Sequence, residues 1–421
     1  MKNPKRVAPK PIIDNLAVIG DRRHREAQAR SVTRFFIGEP LPGAGQDYVS
    51  TLQFLISYDG SKATFNAYRR ELERLLQWSW HIRQVSIRNL AREDIVDFIR
   101  FTLDPPRAWI GTKNVARFIQ REGQRVPNPA WRPFVASVSK ADFRSGTQPD
   151  KSTYTPSQAA IRATFAVLSS FYDYLAQESF VIANPVSLIR QKSKFLRRDH
   201  NQAFVRRISD LQWDYVLETA ELMAAEDPHV HERTLFCTTA LYAMYLRISE
   251  LVADERAAPV MGDFKKDRDG NWWFHVTGKG NKHRTVTVSD AMLNALKRYR
   301  KSRNLSPLPP PNDPVPLIPK IRGKGPVTSS RHLRVLLQDC FDRTYTRMCE
   351  DGLKGDALEL KESTVHWLRH TGISEDVQTR PREHVRDDAG HATMATTDHY
   401  IESDQRERHH SGKKKPVKVF E

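Results

Sequence analysis

The sequence predicts a mainly α chain of the α+β kind: a helical N-terminal domain, then a mostly helical C-terminal domain with a small antiparallel sheet. Three observations carry that expectation. Apolar residues recur at i, i+3 and i+4 on both sides of a strongly basic stretch at 191–207. After Arg247 the pattern changes to short strand-like runs and later returns to helix. At 421 residues the chain is long enough to bury two separate cores.

Taken in order, residues 1–45 are rich in Pro, Gly and Arg with little periodicity, and read as a basic arm. A helical domain is expected over 46–190. Its first clear helix spans about Ser61 to Trp80, where Phe65, Tyr68, Leu72, Leu75 and Leu76 fall on one face. A second runs from Asp94 to Leu103 on Ile95, Phe98 and Ile99. Residues 104–155 form an irregular, Pro-rich insert holding Trp109, Phe118, Trp131 and Phe134 beside Arg117, Arg121, Arg125 and Arg132. Aromatic rings among arginines could stack on bases, but a satellite core is the stronger reading. Ser157 opens the next helix, with Ile161, Phe165, Leu168, Phe171, Tyr172 and Leu175 as its stripe, and the helix is expected to end before Asn184-Pro185.

Residues 191–207 read as a basic linker, with Lys192, Lys194, Arg197, Arg198, Arg206 and Arg207 and few apolar residues. The second domain is expected over 208–421, its first helix capped by Ser209 or Asp210. Asp269-Gly270 signals a hairpin, and Trp272–Val276 and Arg284–Val288 read as neighbouring strands with Lys279 in the glycine-bounded turn between them. Pro307–Pro319 reads as a surface loop. Helices return at about Ser329–Met348 and His366–Val377, and the tail after Tyr400 is polar, with Lys413-Lys414-Lys415 making it basic.

Lys plus Arg number 67 against 50 Asp plus Glu, a net charge of +17 and a pI near 9.8. Such an excess points to a polyanionic partner, with nucleic acid the default candidate. The three cysteines, Cys237, Cys340 and Cys349, have no close-spaced pair, which argues for a reducing cytoplasm and against a Cys-rich zinc site. The N-terminus lacks the apolar run of a signal peptide, and no stretch is long enough to span a membrane. A cytoplasmic, nucleoid-associated protein with no membrane partner is expected.

The C-terminal half carries a scatter of chemically capable side chains. Arg247 lies in Arg247-Ile248-Ser249-Glu250-Leu251, and Lys279 in Gly278-Lys279-Gly280-Asn281-Lys282. His366 and Arg369 lie in His366-Trp367-Leu368-Arg369-His370-Thr371, His391 in Gly390-His391-Ala392, and Tyr400 follows nine residues after His391. Two guanidiniums, an ammonium and two imidazoles around one phenol suit a phosphodiester, because the cations can supply the charge neutralisation a metal ion would otherwise give. His366 and His370 also have the i, i+4 spacing of a zinc pair, but no carboxylate or cysteine is in register with them.

In order and spacing these strings closely resemble the tyrosine recombinases, the phage integrase family that includes Xer-type resolvases. One departure is Tyr245, where that family usually carries Gly two residues before the arginine. The resemblance implies a helical core-binding (SAM-like) domain ahead of the catalytic domain, the two forming a C-shaped clamp on duplex DNA. It implies a site-specific recombinase of mobile genetic elements that needs neither metal nor other cofactor. Partners would be double-stranded recombination sites, further copies of the chain in a tetramer on DNA, and accessory DNA-bending or directionality proteins. Tyr400 would be the nucleophile, and Arg247 and Arg369 would grip the non-bridging phosphate oxygens. His366 and His391 would add donors; which one takes the tyrosine proton stays open at this stage. Lys279 would protonate the departing 5′ hydroxyl, Glu250 would buttress Arg247 or Lys279, and His370 would support the site or face DNA. A type IB topoisomerase-like activity and a non-catalytic DNA-binding regulator are the rival readings.

Overall fold

The computed structural model describes residues 9–21, 41–58, 61–139, 142–143, 145–189, 195–196, 207–278, 282–398 and 413. They belong to two compact units, residues 1–200 and 201–421. Lys279 and Tyr400 lie outside the described residues, as do the linker cations Lys192, Lys194, Arg197, Arg198 and Arg206 and the tail's Lys414 and Lys415.

The first unit is a helical layer around α1 (Leu16–Gly20), α2 (Ala44–Ile56), α3 (Lys62–Trp78), α4 (Arg92–Leu103) and α5 (Gln158–Gln177). Phe65, Leu72, Leu75 and Leu76 of α3 are buried against Leu52, Phe98, Leu168 and Phe171. Helix α3 continues into a π-helical turn, Ser79–Arg83. The buried Asp47 carboxylate secures that turn, accepting from Trp80 Nε1 (2.9 Å), Ser86 Oγ (2.6 Å) and the Ile87 amide (3.2 Å). Within the segment expected to be a plain arm, residues 9–21 are packed: Ile12, Ile13 and Ile19 are buried, and Glu73 accepts the amides of Ile12 and Ile13 at 2.6 and 3.0 Å. An Ile-Ile pair carries no period, so the sequence pattern did not show it.

Helix α5 stops at Gln177, earlier than the Asn184-Pro185 signal suggests. Ser179 takes φ +57°, and the amides of Ser179 and Phe180 turn back to the carbonyls of Ala176 (3.1 Å) and Leu175 (2.8 Å). This is a Schellman end built on serine in place of glycine.

The insert between α4 and α5 is short-stranded. β1 (Ile110–Gly111) pairs in parallel with β4 (Phe134–Val135), while β2 (Phe118–Arg121) and β3 (Gln124–Pro127) form a hairpin. Trp109 and Phe134 are fully buried in a small cluster with Ile110 and Ala136, and Phe118 and Trp131 are also buried. Arg117 lies 4.7 Å from the Trp131 ring and Arg125 5.4 Å from that of Phe118. These four rings are core, not exposed stacking platforms.

The second unit opens with α6 (Asp210–Glu226), where Ser209 and Gln212 form a reciprocal cap. Next comes α7 (Pro228–Ala243), then a sheet of order β5-β6-β7: Phe264–Lys266, Trp272–Thr277 and His283–Thr287, antiparallel throughout. Helices α8 (Asp290–Lys301), α9 (Ser330–Glu350), α10 (Lys354–Glu362), α11 (Val365–Thr379), α12 (Arg382–Ala389) and α13 (Met394–Asp398) complete it. Phe236, Leu241, Met244, Leu337, Phe341 and Leu368 meet in its core. The Pro-rich loop is pinned by a buried ion pair between Arg300 and Asp313, 2.8 Å. Cys237 and Cys340 are buried and burial pushes each thiol up to about 12, while Cys349 is half-buried on α9. Among the described residues no helix is long and apolar enough to cross a membrane.

Candidate active site

The site is assembled where α7, α11, α12 and β7 meet. After α7 the chain reverses at Tyr245, whose φ of +49° belongs to the left-handed region that glycine occupies most cheaply. The Tyr245 ring offsets that cost: it is buried, and its hydroxyl bonds to Asp376 and accepts from Arg380 Nη1 at 3.0 Å. The reversal delivers Arg247 to the head of a single 3₁₀ turn, Ile248–Glu250. Glu250 caps that turn by accepting the Arg247 amide at 2.8 Å and also takes Arg247 Nη1 at 3.0 Å.

Glu250 is buried, and β7 supplies its second guanidinium. Arg284 Nη1 and Nη2 donate to the two Glu250 oxygens at 2.8 Å each, a bidentate fork. Burial pushes the Glu250 carboxyl up, but the Arg284 bonds, with the Arg247 amide and charge, hold it below the ordinary carboxylate range. The carboxylate is therefore ionised at neutral pH and fixes Arg247, whose side chain remains one-third exposed at 33%.

Helix α11 presents His366, Arg369 and His370 along one face. Arg369 is almost fully buried. Its Nη1 donates to the Tyr245 carbonyl, and its Nη2 donates to the Ala389 carbonyl at 2.7 Å and reaches His391 Nε2 at 3.3 Å. Helix α12 ends on Gly390 at φ +65°, which turns His391 back towards Arg369. Because a guanidinium only donates, His391 Nε2 accepts, so Nδ1 carries the proton and donates to Thr397 Oγ1 at 3.0 Å. Asp388 ties α12 to the sheet and to α11, accepting the Thr287 amide at 3.1 Å and Arg380 Nη2 at 2.7 Å.

Burial and then the charges of Arg369, Arg247 and Arg284 push the His391 imidazole down to about 4. His366 is lowered by desolvation, then by Arg369, Arg247 and Arg334. Burial, followed by the proximity of His366, Arg369 and His391, brings His370, whose ring meets that of His366 edge-to-face at 4.5 Å, down to about 4 as well. All three are neutral at pH 7. A histidine whose folded pKa is depressed is protonated first in the unfolded chain, so its contribution opposes folding as pH falls from about 6.5 towards 4. Melting temperature should therefore drop between pH 7 and pH 5, and His391→Gln should make that slope shallower. An unchanged slope would contradict the buried neutral state.

The structure thus brings Arg247, Glu250, Arg369 and His391 into one network, with His366 and His370 inside its field. Thr277 and His283 end the two strands that flank the Lys279 turn, and α13 stops at Asp398, just before Tyr400. The sequence reading missed Arg284, Tyr245 as a structural hinge, and the Asp376–Arg380–Asp388 chain. Two of these left a signal: Tyr245 stands where glycine is usual, and Arg284 alternates with Val286 of β7 and Val288 just beyond it, on the inward side where an apolar residue is expected. Among the described residues no group of three or more His, Cys, Asp or Glu is placed to hold a metal ion.

No family model matches the chain. A tyrosine recombinase XerC of Caldanaerobacter subterraneus subsp. tengcongensis is 25% identical over 260 residues, covering 60% of this chain and 61% of that protein. A second tyrosine recombinase XerC, from Chlorobaculum parvum, is 26% identical over 151 residues, 34% of this chain and 42% of the relative. The chain therefore spans about three fifths or less of the length of these relatives. Among solved structures, XerH site-specific recombinase bound to a palindromic difH substrate superposes with a TM-score of 0.53 at 14% identity, covering 98% of this chain and 99% of that one. In sequence the chain is similar to these two tyrosine recombinases, and in fold it is similar to the XerH site-specific recombinase.

Proposed function

We propose that this chain is a tyrosine-type site-specific DNA recombinase, cutting and rejoining duplex DNA through a 3′-phosphotyrosyl intermediate without metal or ATP. The observation that carries the reading is the buried Arg369 held beside neutral His391, whose ring lies within the field of both Arg369 and an Arg247 fixed by Glu250. Two guanidiniums so placed can donate to the non-bridging oxygens of one phosphate, and they keep their charge at any physiological pH.

In the proposed reaction the Tyr400 oxygen bonds to phosphorus as the bond from phosphorus to the 5′ oxygen breaks. The tyrosine proton passes to His366, whose lowered affinity for a proton leaves its lone pair free at pH 7. Lys279 gives the proton that the departing 5′ oxygen requires. A 5′ hydroxyl from a partner duplex then reverses the step and completes exchange. In this reading residues 46–190 bind DNA, residues 208–421 carry the chemistry, and four copies assemble on two sites, with accessory DNA-bending or directionality proteins as further partners.

The test selects genomic fragments that the protein binds, builds nicked suicide duplexes from them, and looks for an SDS-resistant protein–DNA adduct in EDTA. Wild type should form the adduct and Tyr400→Phe should not. Tight, specific binding with no adduct would overturn the catalytic reading in favour of a DNA-binding regulator. Adduct formation that only relaxes supercoils, without joining partner duplexes, would place the activity with the topoisomerases.

A further inference from the structure

Resting on the recombinase reading above, we infer that Arg284 is a positioning residue for that chemistry, coupling Arg247 and the His391 turn through one guanidinium. Three of its donors are committed. Nη1 and Nη2 hold the two Glu250 oxygens, and Nε donates to the Asp388 carbonyl at 2.9 Å. Glu250 in turn holds Arg247 by amide and guanidinium, and Asp388 stands two residues ahead of Gly390. Gly390 packs on the same side chain: a Cβ there would lie 2.7 Å from Arg284 Cδ.

A third contact extends the coupling. A Cβ on Gly278 would stand 3.1 Å from Glu250 Oε1 and 3.2 Å from Arg284 Nη1, so the strand end leading into the Lys279 turn rests directly on this ion pair. The arrangement requires a planar fork. A lysine at this position could satisfy one Glu250 oxygen or the Asp388 carbonyl, not all three acceptors. The Glu250 carboxylate also holds Arg247, whose side chain is one-third exposed. Here the carboxylate is common to both, so the direction of the Arg247 guanidinium depends on Arg284. Misplacing a phosphate-gripping group by about an ångström costs on the order of 10²-fold in rate.

The experiment measures single-turnover adduct formation, DNA affinity and melting temperature for wild type, Arg284→Met, Arg284→Lys, Glu250→Gln and the double variant Arg284→Met/Glu250→Gln. The expected result is a loss of about 10²-fold in cleavage for Arg284→Met, with affinity within about threefold of wild type. Arg284→Lys should lie between the two. The double variant should cleave no more slowly than the worse single variant, because both act on Arg247 along one path. If Arg284→Met melts early, Arg284→Lys alone carries the rate test. Cleavage within threefold of wild type for both Arg284 variants, a parallel loss of affinity, or additive effects in the double variant would each overturn the inference while leaving the recombinase reading intact. A wild type that binds but forms no adduct overturns both.

Discussion

Replacing Arg369 by alanine is expected to lower strand cleavage by about 10³-fold, the upper end of what one well-placed oxyanion donor contributes. The expectation is at that end because the side chain does two things. It carries a buried charge to the proposed phosphate site, and it satisfies the Tyr245 and Ala389 carbonyls while meeting His391 at 3.3 Å. Truncation leaves those carbonyls without this donor in a dry setting, at about 1–3 kcal/mol each, so the variant should also melt earlier. Arg369→Lys separates the two effects: it keeps the charge and loses the fork. It should recover part of the stability and little of the rate. Single-turnover cleavage beside a thermal melt reads both, and a rate loss below tenfold in Arg369→Ala would remove Arg369 from the proposed chemistry.

The second large effect concerns a residue with no chemistry. A Cβ on Gly372 would stand 2.2 Å from the Tyr242 carbonyl oxygen and 3.1 Å from its carbon. Helix α11 therefore approaches α7 closely enough that only glycine fits. Helix propensity favours Gly372→Ala by about 1 kcal/mol. Overpacking against backbone opposes it with about 3 kcal/mol, since neither helix has a flexible side chain to yield at that point. The clash should win, lowering the melting temperature by roughly 5 °C or more. Because His366 and Arg369 ride on α11, cleavage should fall as well. A variant more stable than wild type would mean that the two helices are farther apart than described.

What the sequence made legible follows from how each residue announces itself. Arg247, His366, Arg369 and His391 stand in short strings whose residue types are chemically unusual together, and the fold brings them to one place. Arg284 sits in a five-residue strand where the eye accepts His-Arg-Thr-Val-Thr as alternation, and its partner Glu250 lies 34 positions away. No local pattern reports such a pairing. Tyr245 was visible only as a substitution for glycine; its positive φ and its bonds to Asp376 and Arg380 depend on helices built more than a hundred residues later. The elements missed were of the same sort. Helix α12 has few apolar residues, so it shows little stripe, and only Val385, Asp388 and Ala389 turn inward. Residues 9–21 are held through Glu73, far along the chain. Where a helix buries a broad regular stripe, as in α3 and α5, the period was enough.

The three thiols give the protein a ready-made reporter position. Cys237 and Cys340 are buried, and with their thiols at about 12 almost none is thiolate at neutral pH, so both should ignore maleimides while the fold holds. Cys349, near the end of α9, is the one cysteine with surface to offer, and Tyr345 lies one turn before it on the same helix. A fluorophore should therefore attach at a single, known address without any engineered substitution, and the same reagent applied with denaturant would count the other two as the second unit opens.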